Sequence, residues 1–327
     1  MGRSGGFLFR RLGERVNIVL IHLRQEIQTD PHRIRIDQFL DDLGAAFVRM
    51  SDGPGLARTI EGPLPMPRLW ILSDLHLEAA PFPDAYDPPR PGFDVLVAAG
   101  DIWRGGPEKA VATVARLAAG RPAVFVAGNH EPWGMTPARC MARLKRAAKG
   151  TDVTVLDGEG AAIAGVRFIG ATLWADGLLS GLHLRPLQTT GEGVLSPSGQ
   201  GTITHGDEAA LHAAERRRIA ALLEQAPDGL PMVVVTHHAP LTDRMPPGLR
   251  AHPGAGLFAS DLSTLMTGNR IALWVYGHIH AREDRLHDSG ARIVANPAGP
   301  LFSTPGFEDD CVVTVGAGMD LKTRRED

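Results

Sequence analysis

Five short apolar runs of this sequence each end on residues that can bind a cation or transfer a proton. RLWILS is followed by Asp74-Leu75-His76, DVLVAA by Gly100-Asp101, PAVFVA by Gly128-Asn129-His130-Glu131, MVVVT by His237-His238, and IALWVY by Gly277-His278-Ile279-His280. A turn would explain the glycines and Asn129, but it would not explain the imidazoles and carboxylates that recur at these ends. The repetition therefore predicts a chemical site.

The residue types indicate a metal site. Carboxylates and imidazoles without cysteine suit Mn, Fe, Zn or Ni better than they suit a thiolate site or a calcium cage. Asp74 and His76 are two residues apart, as are His278 and His280, so in extended backbone each pair would point one way and could bind one cation.

Seven donors are available when Asp101, Asn129 and one of His237 and His238 are added to these two pairs. Seven is more than a single metal usually takes, and it is enough for two metals that share a carboxylate. Two metals roughly 3.5–4 Å apart can assist an in-line displacement at phosphorus.

A layered α/β domain is expected to position these residues. The apolar runs alternate with stretches of helical spacing at 107–119, 137–149 and 206–226, an alternation typical of α/β folds. Ligands of open α/β sheets bind at the carboxyl ends of strands, so the five ends predict one pocket. The late apolar runs, 271–276, 291–296 and 311–315, have no helical stretch between them and predict a second, more antiparallel sheet.

The chain divides by composition into three parts. Residues 1–67 form an N-terminal extension, in which 36–50 has helical spacing and 51–67 is a Gly/Pro-rich linker. The domain is expected over 68–320 and is followed by a polar tail at 321–327. Within the domain, the long stretches 177–205 and 240–258 are the candidates for loops that select the substrate.

Composition narrows the class of protein. The 327 residues are 43% hydrophobic and 22% charged with a net charge of −3, as in ordinary globular domains, and this charge disfavours a nucleic-acid partner.

Two cysteines make no disulfide framework, so a reducing, cytoplasmic location is expected. No apolar run approaches the roughly 18–20 residues of a membrane span, and the charged residues after VNIVLIHL argue against a signal peptide. The sequence does not specify an oligomeric state.

The ordered series D-x-H, GD, GNHE, H and GHxH resembles the calcineurin-like metallophosphoesterase superfamily. Each block is weak evidence alone, but all five occur in order over about residues 68–300. FIGATLW (168–174) and NPAGP (296–300) also resemble a bacterial branch of predicted phosphohydrolases. Tyr276 departs from that branch, many members of which carry a histidine before GHxH.

The resemblance implies a fold and an activity. The fold is a four-layer α/β/β/α sandwich of two mixed β-sheets flanked by helices. The activity is hydrolysis of phosphodiesters, phosphomonoesters or both by in-line attack of a hydroxide that bridges two divalent or trivalent metal ions. The expected partner is a small-molecule phosphate ester.

The resemblance also assigns roles by motif position. One metal is expected at Asp74, His76 and His280, the second at Asn129, His237 and His278, and Asp101 is expected to bridge them. His130 is expected to protonate the leaving oxygen rather than bind metal.

Several residues keep a second interpretation. The family pattern favours His237 over His238 as the ligand, and His238 would then line the pocket or be structural. Arg104 is either a contact for the substrate phosphate or a surface arginine. Asp74 could cap a helix, and Glu131 is expected to support the ligands or cap the following helix.

Two alternative functions compete with that of a phosphoesterase. A nuclease of the same superfamily would favour a basic groove or an added DNA-binding module, which the sequence does not show. A scaffold protein that has lost its metals should lack ligands, whereas this chain retains the full set.

Overall fold

The computed structural model describes residues 66–179, 189–225, 229–243, 245–252, 254–267 and 271–316. Of the predicted N-terminal extension, only Met66 and Pro67 fall within these ranges. The helix predicted at 36–50 and the polar tail at 321–327 lie outside the described residues.

The first sheet contains five strands in the order β11-β1-β2-β3-β4. Strands β1 to β4 are parallel and β11 is antiparallel to β1. Their bounds are Arg68–Leu72 (β1), Val95–Ala98 (β2), Ala123–Phe125 (β3), Val153–Val155 (β4) and Val312–Thr314 (β11).

The second sheet contains six strands in the order β5-β6-β7-β8-β10-β9. Their bounds are Glu159–Ile163 (β5), Val166–Ala171 (β6), Met232–Thr236 (β7), Ile271–Tyr276 (β8), Glu283–Leu286 (β9) and Arg292–Ala295 (β10). The four central strands are parallel, and only the edge strands β5 and β9 are antiparallel to their neighbours.

The expectation of a more antiparallel second sheet was therefore wrong for its centre, and the predicted run 311–315 forms β11 in the first sheet instead. Strand β9, which the sequence did not predict, carries the chain back antiparallel from the end of β8, so β10 can pair parallel to β8 without a helix between them.

Five α-helices are described: α1 (Pro107–Ala118), α2 (Pro137–Ala148), α3 (His205–Glu224), α4 (Pro247–Arg250) and α5 (Ser263–Met266). Short 3-10 helices occur at Leu77–Ala79, Pro83–Ala85, Ala255–Leu257 and Pro300–Phe302. Helix α3 begins with a capping box, in which the Thr204 hydroxyl accepts the Asp207 N–H and the Asp207 carboxylate accepts the Thr204 N–H. The helices predicted at 107–119, 137–149 and 206–226 correspond to α1, α2 and α3.

Side-chain alternation along the strands creates three apolar layers. On β1, Leu69 and Ile71 are buried between the two sheets, while Trp70 and Leu72 face the cluster that includes the α1 residues Val111 and Val114. On the second sheet the same two-residue period separates one set facing the first sheet from another packed with α3. Two sheets packed face to face with helices outside confirm the predicted α/β/β/α sandwich.

Candidate metal centre

The loops that follow five strands bring the predicted site residues together. Strands β1, β2 and β3 are parallel neighbours in the first sheet, and β7 and β8 are parallel neighbours in the second. Possible ligand atoms lie within 4.8 Å of one another in three overlapping groups: Asp74, His76 and His280; His76, Asp101 and His130; Asp101, His237 and His278. The expectation that these strand ends form one pocket agrees with this geometry.

The first group is built around two facing imidazoles. The Nε2 atoms of His76 and His280 lie 3.2 Å apart. The Nε2 of His280 is also 3.3 Å from Asp74 Oδ1, so donor atoms from both sheets converge on one small volume.

A second set of donors, Asn129, His237 and His278, surrounds the other side of Asp101. Asp101 Oδ2 lies 3.2 Å from His237 Nε2 and 3.7 Å from His76 Nε2, so one carboxylate oxygen contacts both groups. His237 Nε2 is 2.9 Å from Asn129 Oδ1. The Nε2 of His278 is buried and has no hydrogen-bond partner within the part of the chain that the structure describes.

Five of the seven predicted ligands have left-handed backbone. Asp74, His76, Asp101, His278 and His280 have φ between 42° and 69°, a region that non-glycine residues rarely occupy. The premise that each His/Asp pair lies in extended backbone was therefore wrong. The side chains converge because tight turns directly after the strands aim them inward, and such residues cost roughly 1–3 kcal/mol each.

Two glycines of the motifs leave room for the carboxylates. A Cβ at Gly128 would lie 2.1 Å from Asp101 Oδ1, and one at Gly277 would lie 2.4 Å from Asp74 Oδ2. The carboxylates occupy the space of these missing side chains, which explains the glycines of GNHE and GHxH in physical terms.

Contacts behind the site orient the donors. His237 Nδ1 lies 2.8 Å from the Ala99 carbonyl, to which it donates, so Nε2 points into the site. Asn129 Nδ2 donates to the Thr190 carbonyl at 2.7 Å, which turns Oδ1 toward the site. His76 Nδ1 is held at 3.3 Å from Glu78 Oε1.

Glu131 joins the β2 and β3 loops. It is fully buried, and its carboxylate accepts four backbone N–H groups: Asp101 (3.0 Å), Ile102 (2.7 Å), Trp103 (3.1 Å) and Gly128 (2.7 Å). Burial and the negative charge of Asp101 raise the pKa of Glu131 to about 7, against the opposing effect of these bonds. Glu131 thus supports the ligands, one of its two expected roles.

The charges within the site are strongly coupled. Burial by itself would raise the pKa of Asp101, but the imidazoles of His237 and His130 hold that pKa well below its ordinary value. Burial by itself would lower the pKa of His237, but the Asp101 carboxylate outweighs this effect and helps raise that pKa to about 9. Burial and the neighbouring imidazoles of His238 and His237 hold the pKa of His278 well below its ordinary value. Asp101 is thus anionic and His278 neutral at pH 7, the forms in which both bind cations.

The three remaining predicted residues lie around this centre. The side chain of His130 is 28% exposed, and its Nε2 is 3.9 Å from Asp101 Oδ2. Arg104 lies over the Trp133 ring at 4.9 Å. His238 is fully buried with its ring 4.0 Å from that of His278, and it is not part of the cleft lining.

A cleft of about 890 Å³ opens over the site. Its polar lining residues include Arg104, Asn129, His130, His278 and His280, and its apolar lining residues include Pro246, Leu249, Leu257, Phe258 and Ile279. Thr189, Thr190 and Glu192 also border it. The two stretches expected to select the substrate, 177–205 and 240–258, therefore both contribute to the cleft.

Three supporting residues were not predicted from the sequence: Glu78, Thr190 and Glu208. None belongs to a motif, and Thr190 and Glu208 are connected to the site only through the tertiary fold. The short spacing of Glu78 from His76 is the one signal that the sequence offered.

The donor set fits divalent cations. Two carboxylates, several imidazoles and one amide oxygen surround a volume in which His278 Nε2 is a buried acceptor with no partner among the described residues. Such hard and borderline donors suit first-row divalent metals.

Comparison with known proteins identifies the family. The sequence model of the calcineurin-like phosphoesterase family matches residues 67–282, and the chain belongs to this family. No protein in the set with curated functions matches it.

Two solved structures match the chain at low sequence identity, and the first of them is similar in fold. Phosphopantetheinyl hydrolase from Mycobacterium tuberculosis is 23% identical, with a TM-score of 0.56 over 72% of this chain and 90% of that one. A dimetal phosphatase from Danio rerio is 14% identical, with a TM-score of 0.43 over 73% of this chain and 89% of that one.

In the described residues, no helix combines the length and apolar character needed to span a membrane.

Proposed function

We propose that this protein hydrolyses phosphate esters with the help of two divalent metal ions. The observation that carries the proposal is the position of Asp101 Oδ2, which lies between His76 Nε2 at 3.7 Å and His237 Nε2 at 3.2 Å. One carboxylate oxygen shared by two groups of donors is the arrangement required by a bridged pair of cations.

The ligands would divide between the two sites as the motifs suggest. Asp74, His76 and His280 would hold one ion, whereas Asn129, His237 and His278 would hold the other, with Asp101 contacting both. When bound, such a pair would activate a water molecule and neutralise negative charge on the phosphoryl group.

The side chains at the cleft would complete the reaction. His130 is half-buried beside Asp101, and its backbone N–H donates to Asp101 Oδ1 at 2.9 Å. It would protonate the departing oxygen of the ester. The Arg104 guanidinium, fixed over Trp133, would bind a phosphoryl oxygen. For His238 we propose a structural role beneath His278 in place of a substrate contact, because it is fully buried.

The apolar residues that line the cleft suit an ester with an uncharged organic group. Phe258 stacks on His278 with ring centroids 5.2 Å apart, so one of these apolar side chains lies against a proposed metal ligand. Because the mycobacterial protein is named for a phosphopantetheinyl group, an ester of that group belongs among the substrates tested.

The experiment combines metal content with substrate rates. Protein purified after supplementation with Mn, Fe, Zn or Ni is subjected to elemental analysis and assayed on bis-p-nitrophenyl phosphate, p-nitrophenyl phosphate and a phosphopantetheinyl ester. We expect two metals per chain and hydrolysis of at least one ester. Fewer than one metal per chain under every supplement would refute the proposal. Cleavage of duplex DNA with a steep salt dependence of binding would instead favour the nuclease.

A further inference from the structure

Helix α3 is attached to a loop behind the site through one buried carboxylate. Glu208 is fully buried, and its Oε1 accepts hydrogen bonds from Thr189 Oγ1 (2.5 Å), Thr190 N (3.0 Å), Thr190 Oγ1 (3.1 Å) and Gly191 N (3.0 Å). Its Oε2 has no hydrogen-bond partner among the described residues. A single oxygen atom therefore fixes three consecutive residues of the loop.

The same loop runs along the segment that carries Asn129. The Gly134 N–H donates to the Gly193 carbonyl at 2.8 Å, and the Leu195 N–H donates to the Met135 carbonyl at 3.0 Å. Gly193 packs against the Trp133 ring so closely that a Cβ there would lie 2.3 Å from Cε2. These contacts hold the loop in register with the GNHE segment.

Thr190 contacts two groups of the candidate centre. Its carbonyl accepts the Asn129 Nδ2–H at 2.7 Å, and its hydroxyl lies 3.3 Å from His238 Nε2. His238 in turn packs against His278. Glu208 is thus connected through Thr190 to Asn129 and, through the His238 ring, to His278.

The connection matters because the Asn129 side chain has two different ends. Its oxygen can bind a cation, whereas its NH₂ group is a donor only. With the NH₂ group bonded to Thr190, the oxygen faces His237. Released from that carbonyl, the amide could rotate and present hydrogens to the site.

We propose that Glu208 and Thr190 are positioning residues that set the cation affinity of the site formed by Asn129, His237 and His278. Glu208 holds Thr190 in place, and the Thr190 carbonyl selects the orientation of the Asn129 amide. The inference rests on the proposed function. Groups that orient metal ligands typically change affinity by about 10–100-fold when removed.

The test is a Mn²⁺ titration of metal-free protein by equilibrium dialysis, which reports affinities for both sites without an activity assay. In Glu208→Ala we expect one of the two affinities to fall by about 10–100-fold, while the affinity of the Asp74, His76 and His280 site stays at the parental value. Glu208→Gln should stay close to the parent, because its amide oxygen can replace Oε1 and the position of Oε2 needs no acceptor.

Asp207→Asn is the matched control on the neighbouring residue of the same helix. It weakens the capping box with Thr204 without touching residues 189–191, so it should lower stability while both affinities remain parental. If Asp207→Asn lost Mn²⁺ affinity to the same extent as Glu208→Ala, Glu208 would act only by stabilising the helix, and the proposal would be overturned.

A second pair of variants covers the case in which Glu208→Ala does not fold. Thr190→Val removes the hydroxyl bonds to Glu208 and His238, whereas Thr190→Ser keeps them. We expect Thr190→Val to weaken the same single site and Thr190→Ser to match the parent. Parental affinities in Glu208→Ala or, failing that variant, in Thr190→Val would refute the inference, as would equal weakening of both sites. A parental protein that bound less than one Mn²⁺ would instead show that the proposed function itself had failed.

Discussion

Glu131 accepts the backbone N–H of Asp101 through Oε2 at 3.0 Å, and the same oxygen accepts the N–H of Gly128 at 2.7 Å. Glu131 thereby fixes the loop after β2 to the loop after β3. The distance between Asp101 and Asn129 depends on this buried carboxylate.

Glu131→Ala should therefore affect both stability and metal content. Four buried N–H donors lose their acceptor, and each unsatisfied group costs about 1–3 kcal/mol. We expect the free energy of unfolding, measured in urea, to fall by at least the cost of one such group, about 1–3 kcal/mol. The metal content should also decrease. The control is Glu108→Ala, which removes an exposed ion pair with Arg143 worth at most about 1 kcal/mol. Equal stabilities for the two variants would contradict the role of Glu131.

Asp101→Ala should abolish metal binding and activity. The substitution removes the one oxygen that contacts both groups of donors, so neither site keeps its full set. Elemental analysis measures the loss, and circular dichroism shows whether the fold persists. Asp84→Ala, at an exposed position of a 3-10 helix, should retain parental metal content. Two metals per chain in Asp101→Ala would disprove a shared carboxylate.

His130→Ala should separate metal binding from catalysis. Loss of a general acid reduces the rate by about 10²–10⁴-fold, whereas metal content should remain parental because His130 is assigned no metal. The measurement is kcat on the best ester found, with the half-buried His287→Ala, outside the candidate centre, as control. A fully metallated His130→Ala protein that turned over at the parental rate would exclude His130 as the acid.

Arg104→Ala should lower kcat/KM without changing the metal content. A lost charge-assisted contact to a phosphoryl oxygen is expected to lower kcat/KM by about tenfold, equivalent to about 1.4 kcal/mol. Arg139→Ala on the outer surface of α2 should leave kcat/KM unchanged. If both variants behaved like the parent, Arg104 would be a surface arginine stacked on Trp133.

Glu215 on α3 should make stability depend on pH. Burial, with a contribution from Asp157, raises the pKa of Glu215 from 4.5 to about 8. A carboxyl whose pKa is higher in the folded state binds its proton more tightly there. The contribution of Glu215 to the free energy of unfolding is therefore complete below pH 4.5 and is lost as the pH rises toward 8. Glu215→Gln stays neutral and can still accept the Leu173 N–H.

The free energy of unfolding of Glu215→Gln should therefore increase relative to that of the parent between pH 5 and pH 8, by at most about 1.4 kcal/mol per pH unit. Urea unfolding of both proteins across this range measures the difference. A difference independent of pH would show that Glu215 does not titrate in this window.

The sequence predicted the parts of the fold that follow from local pattern. Runs such as MVVVT identify buried strands, and polar residues at their ends indicate where the strands open onto a site. The strands β4, β5 and β9 were missed. Residues 159–163 (EGAAI) and 283–286 (EDRL) lack the apolar alternation of a strand, and they are edge strands whose conformation depends on their neighbours.

The supporting contacts of the site could not be predicted for a related reason. Glu208 and Thr190 are 18 residues apart and meet only because α3 packs behind the loop. The left-handed backbone of Asp74 and His280 also has no sequence signature, because aspartate and histidine adopt it only where surrounding contacts impose it. Motifs therefore point to the candidate ligands, whereas the tertiary fold determines how firmly these side chains are held.

The contact between Asp101 and His237 joins a loop of the first sheet to a loop of the second. A cation bound there would cross-link the two sheets and would stabilise only the form in which they are packed together. At a free cation concentration of 100 times the dissociation constant, this linkage adds about 2.7 kcal/mol to the free energy of unfolding. The melting temperature of the protein would then report how much metal its surroundings supply.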